Sequence, residues 1–159
     1  MQETKTNKAR AAALRLLAVR DRSGKEVRER LEKRFSEEEV NDAVEFLTKL
    51  GYLDDLRYAE NYVAYRNEFR PRGNYLLQME LRTKGVSDEI VERVLNSEEK
   101  ELGIALSFGE KYLERMGKVD VNAKRRRLYG ALQRRGFSQS VVWQVVRQLL
   151  DSDLEKEYN

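Results

Sequence analysis

Lys124-Arg125-Arg126-Arg127, followed by Arg134, is the densest group of chemistry-bearing side chains in the sequence. A guanidinium donates two parallel hydrogen bonds, so a row of them suits phosphates or carboxylates. Arg127 and Arg134 are seven residues apart and align on one helix face, while Leu128 and Leu132 supply the buried side. Residues 121–150 hold 7 basic and no acidic side chains, whereas a face serving solubility alone would mix signs. Lys25, Arg28, Lys33 and Arg34 form a weaker copy near the start.

Other chemistry finds little support. With no His and no Cys among 159 residues there is no disulfide framework, Cys/His zinc site, thiol nucleophile or imidazole acid–base pair. Phosphate-cradling, dinucleotide-binding and calcium-binding loops are missing too. Asp54-Asp55 and Glu98-Glu99 read as helix caps rather than metal ligands. The expectation is a protein with no catalytic residues, no metal and no cofactor. Met1 leads into a polar stretch without an apolar core, and no run of 18 apolar residues follows, so a cytoplasmic protein without membrane contact is expected.

The elements that must carry these side chains repeat. Ser36, Ser87 and Ser138 lie 51 residues apart, twice over, each after a Leu-containing basic phrase and each before an apolar helical pattern. Charge alternates along with them. Residues 1–35 hold 11 basic and 5 acidic side chains, and 36–56 hold 1 and 7. Helix-dipole chemistry explains the acids after Ser36 and Ser87, but not the unrelieved basic run of 121–150.

Each unit reads as three helices. Ser23-Gly-Lys-Glu26 and Ser36-Glu-Glu-Glu39 are capping boxes. Asp54 or Asp55 caps the next helix, whose Tyr58, Tyr62, Tyr65 and Phe69 form a stripe read as core rather than as a base-stacking platform. Pro71 marks its end, and the following helix runs from about Gly73 to Lys84. Gly85 takes the position after that helix where positive φ is needed. Ser97 caps a helix over Glu98–Met116, then about Asn122–Arg135 and Ser138–Leu150 follow, with Trp143 placed in the core among valines. The fold class is all-α: three tandem three-helix repeats, about nine helices, elongated and curved. The repeats are expected at 1–53, 54–97 and 98–159, the last with an acidic tail.

Small three-helix units with a basic helix are also similar to helix-turn-helix modules. Acids at Glu37-Glu38-Glu39 and Asp88-Glu89 would repel phosphate at the start of the first two third helices, which argues against groove reading there.

Four motifs carry a more specific likeness: Leu17-Ala-Val-Arg20 with Ser23-x-x-Glu-Val-Arg28-x-x-Leu31, Gly51-Tyr-Leu-Asp-Asp55-x-Arg57-Tyr-Ala59, Glu80-Leu81-x-x-Lys84-Gly85-Val86, and Arg134-Arg135-Gly136-Phe137-Ser138. In order, over about residues 10–150, the chain resembles the RecX family of RecA regulators. The resemblance implies a protein that binds RecA and its filament on DNA and restrains ATP hydrolysis, strand exchange and the co-protease function behind the SOS response; weak direct DNA binding and a monomeric state are further expectations. It places the contacts at Lys124, Arg125, Arg126, Arg127, Arg134 and Arg135, supported by Arg72, Arg82 and Lys84, with Lys25 and Arg28 in the first repeat. The chain departs from the family at Leu76 and Gln78, where the second helix usually carries Arg. A stand-alone DNA-binding protein is the rival reading.

Overall fold

The computed structural model describes residues 2–151; the acidic tail after Asp151 lies outside them. In chain order the helices are α1 (Gln2–Val19), α2 (Gly24–Glu32), α3 (Glu37–Lys49), α4 (Asp55–Glu68), α5 (Asn74–Thr83), α6 (Asp88–Val94), α7 (Glu98–Met116), α8 (Val121–Arg134) and α9 (Gln139–Val146). A π-helical turn at Arg147–Asp151 follows, and the described residues contain no strand. The all-α, three-by-three pattern expected from the period is what the chain forms.

The 51-residue period is the period of an N-cap. Ser36, Ser87 and Ser138 each accept the backbone N–H three residues on, from Glu39 at 3.3 Å, Ile90 at 3.4 Å and Val141 at 3.3 Å. Such caps satisfy a donor that the helix cannot, and each contributes about 0.5–2 kcal/mol. The box at Ser23 is reciprocal, with Glu26 accepting from the Ser23 N–H. At Ser36 the Glu39 carboxylate instead accepts the serine hydroxyl at 3.0 Å. Asp54, not Asp55, caps α4, accepting from the Arg57 N–H at 3.1 Å.

The second helices end alike. The Gly85 N–H donates to Arg82 O and the Val86 N–H to Leu81 O, and Gly136 and Phe137 repeat this toward Gln133 and Leu132. Both glycines have positive φ, 80° and 86°, as this cap requires.

Met1–Tyr62 and Glu80–Val94 build one compact unit; Val63–Met79 and Leu95–Asn159 build a second. In the first, Ala9, Ala13, Val27, Leu31, Val40, Ala43, Leu47 and Leu53 form the core. Arg10 locks α1 to α3 there, donating twice to Asp42 at 2.8 and 2.9 Å over the Phe46 ring. In the second, Ala105, Leu128, Leu132, Phe137 and the α9 valines Val141, Val142, Val145 and Val146 form the core.

Two aromatic expectations are corrected. Trp143 is 53% exposed, because the four valines fill the inner face of α9 and leave the indole edge-on to Tyr129 at 5.4 Å. Of the α4 stripe only Tyr58 is buried; Tyr65 and Phe69 are 55% and 62% exposed. The buried face of α4 runs through Tyr58, Ala59 and Val63, so the last turn of the stripe projects.

The two units repeat one junction. In the first, Asp55 accepts the N–H of Gly24 at the start of α2 (2.8 Å), while Ser23 Oγ donates to Lys84 O at the end of α5 (2.6 Å). In the second, Glu101 accepts the N–H of Asn74 at the start of α5 (2.9 Å), while the Gly73 N–H donates to Arg135 O at the end of α8 (2.8 Å). A β carbon on Gly73 would overlap the backbone of Gly136 and Phe137, and one on Gly136 would lie 2.5 Å from Leu76 Cγ. Leu76 therefore packs directly on the Gly136 turn, which has no room for a side chain at position 136.

Candidate functional site

Along α8 the buried residues are Leu128, Ala131 and Leu132, which turn Arg126, Arg127 and Arg134 to solvent. Lys124 is half-buried. Arg125 is committed elsewhere, donating to Asp151 at 2.7 Å. Arg135 lies over the Phe108 ring, 5.1 Å from its centre. Burial lowers its pKa, and the neighbouring charges of Arg72, Arg66 and Arg70 lower it further, so four guanidiniums are crowded at this point of the second unit.

That crowding marks the edge of a groove of about 1330 Å³, lined by the last turn of α4, the loop 69–73, the outer face of α7 and the end of α8. Seven of its side chains are Lys or Arg against two carboxylates, Glu68 and Glu99. Of the expected contacts the groove gathers Arg72, Arg134 and Arg135. It adds Arg70, Lys100, Lys111 and Arg115, which sequence reading missed. Residues 85–120 hold 9 acidic and 5 basic side chains, and that surplus hides the stripe. Spacing was the available signal: Lys100, Ser107, Lys111 and Arg115 follow one helix face.

Asparagine side chains tie the α4 wall of the groove to the segment before α7. Asn67 and Asn96 exchange reciprocal amide hydrogen bonds at 2.8 and 3.0 Å. Asn74 clamps the backbone of Asn96 from both sides, donating to its carbonyl at 2.8 Å and accepting its N–H at 3.2 Å.

Lys25, Arg28, Arg82 and Lys84 have local partners in the first unit. Lys25 donates to Thr83 O at 3.3 Å and faces Glu29, Arg28 donates to Asn41 at 2.7 Å, and Arg82 pairs with Asp88 at 2.9 Å. Lys84 sits 3.9 Å from Glu26. Burial opposes the charge on Glu26, but hydrogen bonds from Arg20, the Ser23 N–H and Tyr58, and the charge of Lys84, outweigh it and hold the carboxyl below its ordinary range. The described residues contain no group of three or more acids that could hold a metal ion.

Three family models match in tandem: the first three-helix domain of RecX over residues 9–47, the second over 54–95 and the third over 98–146. A regulatory protein RecX of Chlorobium phaeobacteroides is 34% identical over 153 residues, spanning 96% of this chain and 100% of that protein. The chain belongs to the RecX family. A RecX of Trichlorobacter lovleyi is 39% identical over 84% of this chain and 90% of its own length, and one of Mycolicibacterium smegmatis 34% over 96% and 85%. The crystal structure of RecX from Lactobacillus salivarius has the same fold, with a TM-score of 0.83 over 92% of this chain and 97% of that one at 24% identity. These relatives are named regulatory proteins. No helix among the described residues is long and apolar enough to cross a membrane.

Proposed function

We propose that this protein binds RecA and the RecA–DNA filament and restrains its ATPase, recombinase and co-protease activities, thereby regulating DNA repair and the SOS response from the cytoplasm. The observation that carries this reading, for a RecX-family chain, is the groove of the second unit, whose lining holds seven Lys and Arg side chains and two carboxylates. A filament presents acidic protein groups and DNA phosphate together, and several modest charge-assisted contacts to such a surface add up. The repeats at 1–53, 54–97 and 98–159 are the proposed modules of that contact, and no cofactor takes part.

The test is ATP hydrolysis by the cognate RecA on single-stranded DNA while this protein is titrated in. Inhibition well below one protein per RecA supports action on the filament. Unchanged hydrolysis at every ratio rejects it.

A second reading, a stand-alone DNA-binding protein, draws on α9. Its first turn has no acid and exposes Gln139 and Ser140, unlike α3 and α6. Sequence-preferring binding to naked duplex DNA, falling steeply with salt, would favour it.

A further inference from the structure

Trp143 is the largest apolar side chain that the described residues leave in solvent, 53% exposed. It does not stand alone. Its ring meets that of Tyr129 on α8 edge-on, with centres 5.4 Å apart and planes at 61°. Tyr129 is half-buried and packs on the core of the second unit, so one ring of the pair is anchored while the other projects.

Helical register supplies the rest of this face. The Arg147 N–H donates to Trp143 O, so α9 keeps its turn to that point and Arg147 follows Trp143 on one side of the helix. Ser140, three residues before Trp143, accepts from the Gln144 amide at 3.2 Å. On α8, Arg126 and Gln133 lie one turn before and one turn after Tyr129, both exposed. Residues 121–150 hold no acid, and among the described residues neither Arg126 nor Arg147 pairs with a carboxylate. Asp151, four residues beyond Arg147, is taken by Arg125 at 2.7 Å.

The seam of α8 and α9 therefore has an aromatic centre and a rim of arginine and amide groups. Trp, Tyr and Arg are the side chains that dominate contacts between proteins. The charge of the rim calls for carboxylates on the partner. Geometry separates a peptide from a nucleic-acid strand. Two rings meeting edge-on make a corner that holds one side chain, whereas bases stack on flat platforms along a row of cations. Two arginines beside neutral Ser140, Gln133 and Gln144 are too few to follow a phosphate chain.

We propose that this seam docks an acidic segment of a protein partner, with Trp143 and Tyr129 receiving one aromatic or aliphatic side chain while Arg126 and Arg147 pair with carboxylates on either side of it. None of these side chains lines the groove, so the proposal goes beyond the regulatory reading and does not depend on it.

The experiment uses the full chain and two unlabelled peptides, Asp-Asp-Glu-Phe-Asp-Glu-Asp and the same sequence with Ser in place of Phe, with no RecA or nucleic acid present. Calorimetry measures affinity, and fluorescence of the single tryptophan reports the place of binding. The Phe peptide should bind, shift the Trp143 emission to the blue and shield it from acrylamide. The Ser peptide should bind at least about tenfold more weakly, as expected when an aromatic ring is no longer buried. Trp143→Ala should erase the difference between the peptides, and Arg147→Glu should weaken both by about tenfold or more. Arg70→Glu with Lys111→Glu, changes confined to the groove, should alter neither by more than about twofold at physiological salt. Thermal melts confirm that the variants are folded.

An unmoved Trp143 emission up to millimolar peptide, or equal affinity for the two peptides, overturns the proposal. So does binding that the groove variant abolishes and Arg147→Glu spares, which would seat the peptide in the groove. A blue shift with oligo-dT but not with the Phe peptide would assign the seam to nucleic acid. One that grows with protein concentration alone would assign it to a second copy of the chain. Either of these results also rejects the acidic peptide.

Discussion

The backbone N–H of Asn74 donates to the carboxylate of Glu101 at 2.9 Å, and Glu101 is only 4% exposed. A buried carboxylate at a helix start does what an N-cap does, satisfying a donor at the positive end of the dipole. Here the carboxylate comes from 27 residues away, on the first helix of the next repeat. Asp55 does the same for Gly24 in the first unit. The junction between successive repeats is therefore electrostatic at one point and a close backbone crossing at another.

Removing that acceptor should be costly. Glu101→Ala leaves a buried N–H without its partner, and a loss of about 1–3 kcal/mol is expected in urea unfolding. Glu101→Gln retains an acceptor and should lose less. Equal stability of the alanine variant and the wild type would mean that the bond contributes nothing.

Gly73 and Gly103 should respond to alanine in opposite directions. Gly73→Ala forces a methyl into the backbone of Gly136, and a loss above about 2 kcal/mol is expected. Gly103→Ala meets open space inside a helix and should gain up to about 1 kcal/mol. Melting temperatures of the two variants beside wild type decide the matter; a shift of the same sign in both contradicts this account.

Stability should fall on the acid side partly through Glu26. Its folded-state pKa lies below the ordinary value of 4.5, so its contribution is present above that pH and is lost as the pH drops through the lower folded value. Glu26→Gln should lower the melting temperature at pH 7 and flatten its decline below about pH 4.5. An unchanged acid slope in Glu26→Gln would assign the decline to other carboxylates.

Reversal of Arg126, Arg127 and Arg134 to Glu should leave the fold intact, since all three are exposed on α8, while filament binding at physiological salt falls by about tenfold or more. Co-sedimentation with RecA filaments, alongside a thermal melt, measures both. Undiminished binding by a folded triple variant removes α8 from the interface.

Trp143 is the only tryptophan, so intrinsic fluorescence reports on it alone. Its emission should be red-shifted and readily quenched by acrylamide in the native state. Trp143→Ala should lose less stability than Leu132→Ala, for which about 2–5 kcal/mol is expected at a fully buried leucine. A blue, shielded emission would place the indole back in the core.

Where the helices start and stop is written locally in the chain. Ser36, Ser87 and Ser138 act on an N–H three residues away, and Gly85 and Gly136 close turns over five residues, so the signal and its cause lie in one short window. The valine face of α9 and the row Arg127–Arg134 were legible for the same reason: helical periodicity alone turns one inward and the other outward. Left open was which of several apolar candidates finds a partner. Tyr58 became buried and Phe69 stayed exposed against Tyr65, and the spacing of the stripe does not distinguish them. Packing also settled what Gly73 and Glu101 are for, because their partners stand 62 and 27 residues away. The groove is the clearest case. Its cations come from a loop and two helices, and those on α7 alternate along the chain with acids of which only Glu99 lines the groove. A net-charge count averages over all faces of a helix, whereas a ligand meets one.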